Sequence, residues 1–527
     1  MKVLDTYSIV AENVPATVTI AKKPEEYTPS YDVKFPTIEL TTQVILDSIK
    51  EKLINVVRIE MSEILDPKAM ESMKQRFLES ADKTIGQQLP KVGKEQRDIL
   101  AGHLVHEMLG LGRLEVILKD DNLEEIVINN SLTPIYVYHK KFGWLKTNLT
   151  ISSEEQIYNY ASLIGRKIGR QITNLAPLMD AHLITGDRVN ATLFPISTKG
   201  NSITIRRFRR EPWTIVHFLD PSIKTISKGV AALLWLCIQY ELNILVAGGT
   251  ASGKTSVLNA LMPFIPTNQR IISIEDTREL KLPDFLHWIP LTTREANPEG
   301  RGQVAMLDLL VNSLRMRPDR VIVGEIRRQK EAEVLFEAMH TGHSVYATLH
   351  ADRAEQVVRR LVNPPINLPE TLLEGLHLVL IQYRHRRLGI RRTLELAELI
   401  PGESKAIPPR LEILYRWKPT SDTIEKVKSS IRLINEIRLH TGMTEDQMES
   451  DLKEKEKILQ WMVNNQVKTV NTVGMVVAEY YNDREKVLKI VKRNGKPEEI
   501  IGKFLVKELK ELKEETKEVK KLKSAKK

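Results

Sequence analysis

The sequence reads as an α/β protein: a parallel-sheet core preceded by an α+β domain and followed by a mostly helical extension. Three observations predict this. Strands and helices alternate from residue 226 to about 362, the pattern of a parallel sheet with crossover helices. A glycine-rich turn at residues 248–255 joins an apolar strand directly to a helix. Upstream, residues 124–207 carry hairpin-like strand pairs around a single helix.

The chain has 527 residues, enough for about three domains at roughly 150 residues each. Residues 1–40 carry a short β-like piece, Ala16–Ile20, and several prolines, and read as an N-terminal arm or small module. Residues 41–208 read as an α+β domain with a helical first part. There Ile45, Ile49, Leu53 and Val56 recur at helical spacing, and Ile99, Leu104, Met108 and Leu109 continue the pattern. The strand pairs follow at 135–138 and 144–145, then at 188–193 and 202–206, with a helix near Glu154–Lys167 between them. Pro212 and Pro221 mark residues 209–225 as a linker. The core is expected over 226–400, with strands at 243–247, 270–274, 288–291, 320–324 and 344–349 and a basic hairpin at about 378–400. Residues 401–502 read as a strand and helical region, with Gly442 as a helix C-cap. Residues 503–527 read as a Lys-rich tail.

Composition bounds the function. The apolar fraction of 42% and the charged fraction of 28% are those of a globular chain. The single cysteine, Cys237, excludes an intrachain disulfide and a cysteine-based zinc module. No apolar run approaches the roughly 20 residues that span a bilayer, and the N-terminus has no signal-peptide pattern. The expectation is a cytoplasmic protein that meets a membrane only through partners. The net charge of +10 raises nucleic acid or an anionic surface as partners. Half of that excess, however, lies in residues 503–527, which hold ten Lys and five Glu. Leu505, Leu509, Leu512, Val519 and Leu522 there are spaced roughly as an amphipathic helix.

The glycine-rich turn, Gly248-Gly249-Thr250-Ala251-Ser252-Gly253-Lys254-Thr255, matches G-x-x-x-x-G-K-[ST] between the strand Asn243–Ala247 and a helix from Ser256. Its glycines let backbone N–H groups curl around phosphates, and the helix N-terminus adds its positive end. Lys254 would reach the β- and γ-phosphates and Thr255 would bind Mg²⁺. Such a site needs a carboxylate at a neighbouring strand end. The strand Arg320-Val-Ile-Val-Gly324-Glu325 offers Glu325, which could polarise the attacking water or hold Mg²⁺ through a water. The competing reading pairs Glu325 with Arg327 or Arg328. Glu275-Asp276 closes the strand that lies between the P-loop helix and Glu325 in the chain, either as catalytic carboxylates or as a turn cap. His350 ends the strand 345–349 and could sense the γ-phosphate or a neighbouring subunit. His340, His343 and His350 lack the cysteine or carboxylate partners of a metal site.

Four features in order resemble the type II/type IV secretion ATPase family. They are the P-loop, the acidic box Ile271-Ile-Ser-Ile-Glu275-Asp276, the strand Val321-Ile-Val-Gly-Glu325-Ile-Arg327, and the histidine box Thr341-Gly-His343 to Thr348-Leu-His350. Gly186–Leu193 and Ile203–Phe208 look like strands of the family's N-terminal domain. The resemblance is greatest to the archaeal branch, which includes archaellum and pilus motors. It implies a RecA-like P-loop core of the ASCE class and a homohexamer. The expected activity is ATP hydrolysis with Mg²⁺, and the expected partner is a polytopic membrane platform protein. By the same resemblance Arg188, Arg206 and Arg207 would reach the phosphates, with Glu325, Glu275 and His350 as catalytic residues. The rival reading of 206–210 is a basic loop on nucleic acid, as in a nucleic-acid-translocating ATPase. The low aromatic fraction, 6%, and the absence of a recognisable module weigh against it, so no nucleic-acid partner is expected. The arginines at 384, 386, 387, 391 and 392 read as a solvated hairpin tip.

Overall fold

A computed structural model describes residues 2–56, 67–168, 170–183, 186–207, 211–294, 296, 300–402 and 409–502. The Lys-rich tail and its expected helix lie outside these residues. The chain divides into two compact units, residues 1–209 and 210–527.

The first unit is built on a nine-stranded sheet. Its strands are β1 (Lys2–Ala11), β2 (Val14–Lys22), β3 (Ser30–Lys34), β4 (Leu123–Ile128), β5 (Tyr136–His139), β6 (Gly143–Thr147), β7 (Leu178–His182), β8 (Arg188–Thr192) and β9 (Ser202–Arg206), in the order β1-β2-β3-β6-β5-β4-β9-β8-β7. The strands expected at 188–193 and 202–206 are β8 and β9, paired antiparallel with Arg188 opposite Arg206. The first 40 residues differ from the expected arm or module. Val14, Ala16, Val18 and Ile20 alternate inward and join one core with Ile126, Val137, Val189 and Ile205, so β1–β3 are part of this sheet. A parallel register, Ser30 opposite Lys146, fastens them to β6. The hydroxyls of Tyr7 and Tyr31 both donate to Asp120 Oδ2, at 2.6 and 2.7 Å. Three helices, Leu40–Val56, Pro67–Gln88 and Lys94–Leu109, bury Leu46, Ile49, Leu53, Phe77, Ile85 and Leu104 against one another. Gly102 brings the last of them onto the β1–β2 turn. A Cβ there would stand 1.9 Å from the carbonyl oxygen of Glu12.

The second unit holds another nine-stranded sheet, in the order β12-β11-β13-β14-β10-β15-β16-β17-β18. Its parallel part is β10 (Ile244–Gly248), β11 (Arg270–Glu275), β12 (His287–Thr292), β13 (Arg320–Val323), β14 (Ser344–Leu349) and β15 (Leu378–His385). β16 (Ile390–Ile400), β17 (Arg410–Lys418) and β18 (Thr423–Lys426) extend it antiparallel. These central strands are buried and almost wholly apolar, as a sheet covered on both faces requires.

Two boundaries differ from the sequence reading. Residues 215–219, expected in a linker, form a short helix whose Ile215, Val216 and Phe218 are buried. The strands and helices of 401–502 are part of the same unit as the core. The reason is the helix Lys228–Gln239, which is apolar on every side and needs cover all round. Its Trp235 stacks on Phe264 at 4.9 Å, meets Tyr480 edge-on at 5.4 Å, and donates its indole N–H to Tyr481. The helices Glu445–Asn464 and Val470–Asn482 supply that cover. The helix Arg432–Thr441 ends at Gly442 in the left-handed conformation, φ +71°.

Beneath them Lys455 is fully buried. Its ammonium pairs with Asp451 and lies over the rings of Tyr480 and Trp235, and Tyr480 donates to Asp451 at 2.7 Å. Removing the cation leaves a buried carboxylate uncompensated. Lys455→Ala is therefore expected to cost about 3–5 kcal/mol of stability in denaturant unfolding.

Candidate nucleotide site

The site begins with a steric demand. β10 is buried throughout, and Gly248 closes it where no side chain fits. A Cβ there would lie 2.4 Å from the carbonyl oxygen of Gln382 on β15 and 2.5 Å from Ser252 Oγ. Ala251 (φ +59°) and Gly253 (φ +93°) then turn the chain through left-handed backbone. Such turns make successive N–H groups converge into an anion-binding nest. The helix Lys254–Leu261 starts at once, with Gly253 at its N-cap. Lys254 Nζ folds back to donate to the Gly249 carbonyl at 3.2 Å. Burial pulls its pKa below the ordinary lysine value, opposed by Glu325, Asp352 and Glu279. Ser252 Oγ is buried and without a hydrogen-bond partner among the described residues. A nest, an unsatisfied hydroxyl and a lysine returning on its own loop together fit a phosphate chain.

The sheet order places the other groups. β14 stands between β10 and the Glu325 strand β13, and β11 lies on the far side of β13. The strand that separates the P-loop from Glu325 in space is thus the histidine strand, not the Glu275 strand. His350, just past β14, meets the P-loop directly, with Nε2 3.1 Å from Thr250 Oγ1. Asp352, two residues on, crowds Gly249, where a Cβ would be 2.7 Å from its Oδ1. Glu325 Oε2 accepts from Arg327 Nε and Nη2 at 2.9 and 2.7 Å, and Arg327 Nη1 donates to Asp276 Oδ2 at 2.7 Å. The pairing weighed as an alternative is therefore present, and one guanidinium bridges two strand ends.

Glu275 differs from the expected catalytic carboxylate. It is buried at 2% exposure, and its Oε1 accepts the backbone N–H groups of Glu279 and Leu280 at 2.9 and 3.1 Å. It shapes the turn after β11. Burial pushes its carboxyl up to about 7, against those two hydrogen bonds.

The three arginines expected at the phosphates belong to the first unit. Arg188 is bonded to Asp180, with Nε 3.0 Å from Oδ1. Arg206 is exposed at the end of β9, opposite Glu125 and Arg188. Arg207 departs from the expected role. Its side chain is only 6% exposed, and its guanidinium donates to the Asp120 carbonyl and lies 3.5 Å from Asp121.

The arginine hairpin is also corrected. Arg392 is buried, forked onto Asp422 at 2.7 and 2.8 Å, and holds that carboxyl down at about 2. Arg391 turns the other way, and its Nε donates to the P-loop carbonyl of Ala251 at 3.1 Å. Charge clustering concealed both roles. The signal for Arg391 is the hairpin's place beside β10, which only the sheet order reveals. Asp352 was within reach of the rule that ligands gather at the carboxyl ends of parallel strands.

A P-loop on a parallel sheet, with one strand inserted before the strand that ends in a carboxylate, defines a P-loop nucleotide-binding protein. A family model described as "Type II/IV secretion system protein" matches residues 184–391. An uncharacterized protein of Methanocaldococcus jannaschii is 36% identical over 423 residues, 75% of this chain and 75% of that one. The type IV secretion system protein PtlH of Bordetella pertussis is 31% identical over 244 residues, 42% of this chain and 72% of PtlH. The solved structure of the pilus retraction motor PilT with bound ADP aligns over 71% of this chain and 93% of that one, at 20% identity and a TM-score of 0.41. The chain belongs to the type II/type IV secretion ATPase family.

The buried Glu275 makes stability depend on pH. Its folded value lies above the unfolded 4.5, so its contribution is intact below that pH and is lost as pH rises through about 7. Between pH 5 and 8 the wild type is expected to lose up to about 3 kcal/mol from this group. Glu275→Gln keeps the acceptor oxygen and should flatten that slope in urea unfolding at the two pH values.

Proposed function

We propose that the chain is an ATP-hydrolysing motor working as a homohexamer on the inner face of a membrane. Its partner in this reading is a polytopic platform protein of a type IV pilus-like, archaellum or secretion machine. The observation that carries the ATPase reading is the meeting, at one sheet edge, of Lys254 in its nest, His350 on Thr250 and the strand-end Glu325. Membership of the secretion ATPase family supports the machine. Among the described residues no helix is long and apolar enough to cross a membrane, so the platform is taken to be a separate chain.

Each residue has a task in this reading. The nest of residues 249–254 holds the β-phosphate, and Lys254 exchanges its bond to the Gly249 carbonyl for phosphate oxygens. Thr255 and, through a water, Glu325 would hold Mg²⁺, which neutralises phosphate charge when bound. Both Arg327 contacts fall on Glu325 Oε2, so Oε1 is the oxygen that orients the attacking water and takes its proton. Thr250 and His350, already in contact, register the γ-phosphate beside them. Arg188 and Arg206 sense the γ-phosphate in this reading, so its loss after hydrolysis releases their hold. Taken in turn around a ring, that release is a stroke.

Lys254→Ala is expected to abolish ATP binding. Glu325→Gln should bind ATP as the wild type does while turnover falls by about 10²–10⁴. Ordinary phosphate release by both variants would remove the site assignment. Light scattering in the presence of ATP tests the ring, which requires six times the mass of one chain.

A further inference from the structure

The hairpin β15–β16 has no part in the chemistry above, yet it touches the P-loop. Gly248, the last residue of β10, is paired with Gln382 on β15. β15 continues to His385 and returns through β16, with Arg384 opposite Arg391. The hairpin therefore runs about 10 Å past the strand that carries the loop. At that overhang Arg391 lies along the P-loop. Its Nε donates to the Ala251 carbonyl at 3.1 Å, and its Cδ is 3.6 Å from where a Cβ on Gly253 would stand.

Direction follows from the sheet. The N–H groups of a nest point at the anion, so the Ala251 carbonyl that Arg391 holds faces away from the phosphates. Glu325 and His350 lie on the β13–β14 side of β10, which fixes the γ-phosphate end there. A phosphate chain laid across the helix N-terminus with its γ end on that side would carry its nucleoside toward β15–β16. Arg391 is a cation on that side, already braced on the loop. A guanidinium plane is a good surface for a purine, combining stacking with cation–π attraction.

We propose that Arg391 is a nucleoside-contacting residue: anchored by Nε on the rim of the P-loop, its guanidinium forms the surface on which the purine base of ATP rests. The proposal rests on the ATP reading of the site. It separates what the loop recognises, a phosphate chain, from what the hairpin recognises, a base.

The test compares MgATP with inorganic tripolyphosphate and Mg²⁺, titrated calorimetrically into the 527-residue chain and its variants. Arg391→Ala should weaken ATP binding about tenfold and leave tripolyphosphate within about twofold. Arg391→Lys keeps the charge and loses the plane, so it should behave as the alanine variant does toward ATP. Unchanged ATP affinity would overturn the assignment. So would equal losses for both ligands, which would make Arg391 a brace of the loop only. Full rescue by lysine would leave charge alone as its contribution and overturn it as well. A wild-type chain that binds neither ligand would remove the nucleotide reading first, and this one with it.

Discussion

The backbone of β10 passes so close to that of β15 at Gly248 that a single methyl group would not fit between them. That contact fixes where the P-loop leaves the sheet. β10 is hydrogen-bonded on one side to β14 and on the other to β15, so the loop rises between two neighbours of opposite chemistry. One side brings a histidine and, one strand further, a carboxylate. The other brings an arginine hairpin. A side chain at position 248 would push β15 away and loosen the loop from both. The left-handed turns at Ala251 and Gly253 and the lysine folded over the loop are consequences of a strand that must stop there.

The charges around the site are arranged by how much water they retain. Glu275, the most deeply buried, is satisfied by backbone N–H groups on one oxygen and carries a raised pKa as the cost of its position. Asp276 and Glu325 are more exposed and share one arginine. Arg392 and Arg391 are sequence neighbours with opposite fates. Alternation along β16 sends one into a buried fork with Asp422 and the other onto the loop. A buried arginine needs a matched carboxylate, and Asp422 on the β17–β18 turn provides it.

Much of this was legible in the chain. The P-loop, the Glu325 strand and the histidine strand are each a short apolar run ending in a distinctive residue, and local pattern is enough to find them. The helix at 154–167 and the cap at Gly442 were equally plain, because their signals lie within a few residues. What escaped depends on long-range neighbours. Nothing local shows that β14 rather than β11 stands beside β10, that β3 pairs with β6 more than a hundred residues later, or that Arg391 meets Ala251. The arginine run at 384–392 misled for a further reason. Exposed and buried arginines have the same composition, and only the register of the hairpin separates them.

The segment that the family model matches ends at residue 391, but the folding unit does not. Trp235, Phe264 and the all-apolar helix Lys228–Gln239 are covered by helices that begin after residue 440. A fragment trimmed to the matched segment would uncover several large side chains, each worth about 1.5–3 kcal/mol when buried. Together these rival the whole stability of a domain, about 5–15 kcal/mol. Such a fragment would also keep only two residues of β16 and lose the buried Arg392–Asp422 fork. The matched segment thus stops short of the compact unit that holds its core. Boundaries drawn from the motifs alone would keep every motif and expose the apolar helix beneath them.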